Sequence, residues 1–190
     1  MNVEFLRTGE RRYAVRVHRD DEAVLEMNPA PGYDPRMPHD LLHLVVEDEL
    51  ALQRGIFGQV ARGGHAATFH ARAAGGDRVV ARRRRRAEKR GDALLRAGRE
   101  ESQRSENATY VCLYEWLRRS SSPTARARAH AMRDEAVHVH AREDERVLTD
   151  AAIDRICARL DELGSAWSRL AVGESIMVAW SHDAGRRRRS

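Results

Sequence analysis

In "MPHDLLHLVVEDEL", residues 37 to 50, His39 and His43 stand four residues apart inside an apolar run, and Glu47 follows His43 at the same interval. Imidazoles at i and i+4 of one helix can grip a single divalent ion of the zinc type. Asp40 makes the pattern HDxxH rather than HExxH. It stands where a metalloprotease carries its general-base glutamate and is one methylene shorter, which argues against protease chemistry. On a wheel of about 100° per residue, with His39 at zero, His43 falls near 40°, Glu47 near 80° and Asp40 near 100°. Leu41, Leu42, Leu44, Val45, Val46, Leu50 and Leu52 cover most of the remaining circumference, so the polar stripe is expected to face the interior or a pocket. Buried imidazoles and carboxylates need partners.

A divalent ion held by His39 and His43, with Glu47 as ligand or as orienting partner of His43, is one way to satisfy the stripe. Asp40 would then serve as base on a coordinated water or support the site. Glu47 lies eight residues above His39, about 12 Å along the axis, and about 9 Å above an ion held midway between the histidines. That distance favours the orienting role and requires further ligands, for which His65, His70 and Glu115 are the candidates. A purely structural polar network, with Asp40 favoured by the helix dipole and His43 bonded to Glu47, satisfies the same stripe without metal.

The elements around the stripe follow from periodicity. "VEFLRT", "YAVRVHR" and "AVLEM" read as strands, the second alternating Tyr13, Val15 and Val17 with Ala14, Arg16 and His18. Pro29, Pro31, Pro35 and Pro38 stiffen the loop that feeds the helix, expected over residues 38 to 54 and stopped by Gly55. Ile56, Phe57 and Val60 mark a short apolar turn, and "AATFHARA" a short strand. Tyr110, Leu113, Tyr114 and Leu117 point to a core helix. A further helix spans roughly 125 to 148. Another starts at Thr149–Asp150, presents Ile153, Ile156, Cys157, Leu160 and Leu163, and is expected to end at Gly164. Ile176, Val178 and Trp180 form a last strand returning to the sheet. The expected fold is α+β: one domain, with an antiparallel sheet of N-terminal strands plus the C-terminal strand packed against several helices. Residues 75 to 107, rich in charge, read as a solvated helix or a partly mobile insertion, and residues 183 to 190 as a basic tail.

Residues 28 to 64, with their PHDLxHxVVE core, and the terminal "GESIMVAW" resemble small uncharacterised bacterial proteins rich in arginine and alanine, a resemblance that brings no activity with it. HDxxH is also similar to the metal motif of a ubiquinone-biosynthesis family, in which a later glutamate completes the site. This chain has Gly55 at that spacing, so the family's function is not carried over.

The formal charge is +5, and of 34 basic residues Lys89 is the one lysine, leaving 33 arginines. Arginine without lysine marks a GC-rich genome as much as a function. The cluster Arg82, Arg83, Arg84, Arg85 and Arg86 and the tail Arg186 to Arg189 supply a second functional class, a nucleic-acid or polyanion-binding module. A non-catalytic protein-interaction domain is a third. Phosphate contacts of this kind are salt-sensitive, and no interleaved aromatics offer a base-stacking surface. His130, Asp134 and His138 share a spacing of four but fall away from the Met132–Ala136–Val139 stripe, so they read as an exposed face. Cys112 and Cys157 lack CxxC spacing and read as core thiols in a reducing compartment. No leader core or 18-residue apolar run is present, so a cytoplasmic protein without a membrane span is expected.

Overall fold

Alternation of period two builds the first hairpin. β1 (Asn2–Gly9) and β2 (Arg12–His18) pair antiparallel, with Val3 opposite Val17 and Phe5 opposite Val15. The computed structural model describes residues 1–19, 24–64, 69–71, 99–142 and 147–182. β3 (Val24–Ala30) adds to β2, the two-residue β4 (His70–Ala71) adds to β3, and β5 (Ser175–Ala179) adds to the free edge of β1. The order is β4-β3-β2-β1-β5, all antiparallel. One face carries Val3, Phe5, Tyr13, Val15, Val17, Leu25, Met27 and Val178 into the core. On the other, Arg16 bridges Glu26 at 2.9 Å and Glu4 at 3.4 Å across neighbouring strands. With five helices beside this one sheet among the described residues, the fold is α+β, as the strand pattern predicts.

Helix α1 (His39–Glu49) is buried from Asp40 to Asp48. It ends earlier than residue 54 because Ala51 takes the left-handed conformation (φ 53°), while Leu52 N–H bonds Glu47 O and Ala51 N–H bonds Asp48 O. This is a Schellman closure with alanine where glycine is the usual signal. Helix α2 (Ile56–Ala61) follows, and then come α3 (Arg99–Arg119), α4 (Pro123–His140) and α5 (Asp150–Ser168).

Ser122 caps α4 and Thr149 caps α5, each accepting an N–H from three residues on. Helix α5 runs through Gly164, contrary to expectation. That glycine is a contact point, since a Cβ there would stand 3.0 Å from Arg36 O and 3.3 Å from Met37 Cε and Trp116 Cζ2. The buried face of α3 is also rotated from the expected one. Ser105, Ala108, Thr109, Val111, Cys112, Trp116 and Leu117 are buried, while Tyr110, Leu113 and Tyr114 are half-buried. Residues 99 to 107 of the segment read as a solvated helix or a partly mobile insertion belong to this helix. The rest of that segment, with Arg82 to Arg86, lies outside the described residues, as do the basic tail and His65.

Candidate metal centre

The centre forms where the first turns of α1 meet α3. His39 is the first residue of α1, with its N–H bonded to Gly32 O at 3.2 Å. Gly32 has φ 71°, and a Cβ there would come 2.7 Å from His39 Cβ, so only glycine lets the proline loop pass this close. One turn on, His43 is fully buried. Its Nε2 lies 3.1 Å from His39 Nε2 and 3.4 Å from Glu106 Oε2, and the two rings stand edge to face at 4.5 Å.

The opposite edge of His43 meets two hydroxyls, with Nδ1 3.2 Å from Ser105 Oγ and 3.3 Å from Thr109 Oγ1. Ser105 Oγ donates at 2.7 Å to Glu47 Oε1. Serine has one proton, so with Glu47 ionised its oxygen accepts from His43 Nδ1–H. Nε2 is then the nitrogen turned toward His39 and Glu106, where it holds a proton against the Glu106 carboxylate, and a metal ion would take that proton's place on the ring.

Glu47 is fully buried and serves the backbone. Its Oε1 accepts from Ile56 N at 2.8 Å, and its Oε2 from Phe57 N at 2.8 Å and Gly58 N at 3.4 Å. The carboxylate thus closes the start of α2, and its nearest approach to His43 is 3.9 Å, at Nδ1, the edge away from His39. Gly55 is what admits it. A Cβ at residue 55 would sit 2.3 Å from Glu47 Cδ, so the position must be glycine for the carboxylate to reach α2.

Asp40 turns its buried carboxyl to the hydroxyl of Tyr13, which also reaches Pro31 O. Burial pushes the Asp40 carboxyl above the usual carboxylate range, and the Tyr13 hydroxyl draws it part of the way back. A protonated Asp40 that donates to the Tyr13 oxygen, while Tyr13 donates to Pro31 O, satisfies every group in the chain. Burial, and then the Asp40 carboxyl, push the Tyr13 phenol far upward.

Among the described residues, one set of three potential metal donors converges: His39, His43 and Glu106, with one ligand atom of each within 4.8 Å of the others. Zinc bonds of about 2.0–2.1 Å at tetrahedral angles separate their donors by roughly 3.3 Å, close to the observed 3.1 and 3.4 Å. Burial acts to lower the His43 pKa, but the Glu106 hydrogen bond and the charges of Glu106 and Glu47 outweigh it and raise the value. The His39 pKa is lowered, by burial first and then by the charge of His43. The same pairing with His43 holds Glu106 below the usual range.

Sequence reasoning missed Glu106, which it left inside the charged segment. The available signal was the Ser105–Thr109 pair one turn before "YVCLYEWL", since extending that helix backwards puts Glu106 beside the polar pair. Of the other proposed ligands, His70 lies exposed on β4, and Glu115 is engaged by Arg118 at 2.6 Å and Arg119 at 3.4 Å. His130, Asp134 and His138 lie on the exposed face of α4, where the apolar stripe put them.

No protein-family model, curated protein or solved structure matches this chain. Among the described residues no helix is long and apolar enough to cross a membrane.

Proposed function

We propose that the protein holds one zinc-like divalent ion between His39 Nε2, His43 Nε2 and a Glu106 carboxylate oxygen, and that it works as a metal-dependent hydrolase. The observation that carries this reading is the convergence of those three donors, with His43 Nε2 3.1 Å from His39 Nε2 and 3.4 Å from Glu106 Oε2, two separations that a tetrahedral ion with a fourth, open position would span. Two of the three side chains, His39 and Glu106, are exposed, so the open position is within reach of substrate. Three protein donors with one free position is the pattern of catalytic zinc rather than of closed structural sites. Such an ion activates water at neutral pH and polarises a carbonyl. In this reading Glu47 and Ser105 hold His43 in its metal-binding tautomer, and Asp40 with Tyr13 braces the proline loop. Arginine-rich composition and two unpaired cysteines support a bacterial, cytoplasmic setting.

Titration of the full chain with zinc or cobalt against a chromophoric chelator tests the proposal. One equivalent per chain is expected, with His39→Ala, His43→Ala and Glu106→Gln each weakening affinity at least tenfold. A substoichiometric metal content, or full retention by His43→Ala, would overturn it. If metal binds, hydrolysis of activated esters should vanish with chelator and return with zinc.

A further inference from the structure

A cavity of about 210 Å³ opens beside His39, between the proline loop and α3. Met37, Leu42, Leu113, Leu117 and the Trp116 ring make most of its wall apolar. Three charged groups line it as well: Asp34, Arg36 and Arg128. Asp34 is spoken for, because Oδ2 receives Arg128 at 2.8 Å while Oδ1 takes the N–H of Arg36 at 2.8 Å and of Met37 at 3.4 Å. Arg128 and Asp34 therefore cancel.

Arg36 is left as the cation without an acidic partner among the described residues. Its guanidinium lies 5.2 Å from the centroid of the Trp116 ring and gives one N–H to Ser120 Oγ at 3.0 Å. A guanidinium has five donors in a planar fork that fits a carboxylate in two-point contact, and stacking on an indole face fixes its plane. The walls are preformed. Gly32 is locked against His39, Tyr13 bonds Pro31 O, and Trp167 Nε1 donates to Asp34 O at 3.1 Å.

We propose that this cavity is the substrate chamber of the His39–His43–Glu106 centre, and that it takes a small carboxylic acid with a short apolar body, the carboxylate received by Arg36. The role as substrate chamber rests on the metal reading above, whereas carboxylate binding does not. One uncommitted cation in a mostly apolar space matches a monoanion.

Calorimetric titration of the full chain with isovalerate, and with isovaleramide as its neutral counterpart, distinguishes the outcomes when run with zinc and with chelator. The acid is expected to bind at millimolar concentration, at least tenfold tighter than the amide. Arg36→Met should weaken the acid at least tenfold and leave zinc affinity unchanged, and Arg36→Lys should restore part of the loss. Equal binding of acid and amide by the wild type, or an Arg36→Met protein that keeps its affinity, overturns the carboxylate chamber. Arg36-dependent acid binding by a chain that holds no zinc upholds the chamber and overturns its link to a metal centre.

Discussion

Ser105 Oγ sits between Glu47 and the Nδ1 edge of His43, and because it gives its single proton to Glu47 its oxygen is left to accept Nδ1–H of that ring. Ser105→Ala is expected to lower zinc affinity about tenfold, the loss typical of removing a group that orients a ligand, in a chelator competition where the fold stays intact by circular dichroism. Asp40 is the other residue whose charge state matters. Its carboxyl is raised in the folded chain, so its stabilising effect is complete below the ordinary aspartate pKa and is lost as pH rises through the raised one. Asp40→Asn keeps a donor for the Tyr13 oxygen and has no proton to lose. Urea unfolding should therefore show the variant gaining stability relative to wild type as pH rises across that window, with a plateau above it. A difference that stays flat, or falls, with pH would contradict a protonated Asp40.

At the scale of elements, α1 and α2 are joined by a carboxylate instead of by a packed apolar seam alone. Glu47 caps three N–H groups of α2, and the approach depends on Gly55 having no side chain. Gly55→Ala forces a methyl group into the carboxylate and is expected to cost about 3 kcal/mol, the upper range for overpacking, read as a lower urea midpoint. Gly164→Ala meets backbone at 3.0 Å where α5 crosses the proline loop, and should cost about 1 kcal/mol for the same reason. The order of the two costs is the discriminating result, because both positions lie in sequence where a helix stop would be read.

Across the whole molecule, the far end of α1 gathers the C-terminal third of the chain. Asp48, 3% exposed, accepts from Arg159 of α5 at 2.6 Å and from Ser181 N at 2.8 Å just beyond β5, while its carbonyl meets His182 Nε2 at 2.7 Å. One helix therefore carries the candidate site at its start and the clasp for β5 at its end. Arg159→Met leaves a buried carboxylate with its remaining donors and no countercharge. We expect a loss of about 3 kcal/mol with zinc affinity preserved, separating the clasp from the site. A parallel fall in zinc affinity would mean that the two ends of α1 are coupled.

Local pattern in the sequence determined a good deal of this protein. The strand alternation, the Thr149 cap, the return of "SIMVA" to the sheet and the polar stripe on α1 are all set by periodicity and capping, which act over a few residues. Its boundaries were less legible. The end of α1 uses alanine in a left-handed position, and Gly55 and Gly164 owe their identity to neighbours distant in the fold. What stands opposite His39 and His43 was decided only by tertiary structure. Glu106 lies 63 residues after His43, in a stretch whose charge reads as surface, and it enters the site because Ser105 and Thr109 turn that face of α3 onto α1. Which acid faces the histidines is a matter of packing between helices far apart in the chain. No spacing along the sequence encodes it.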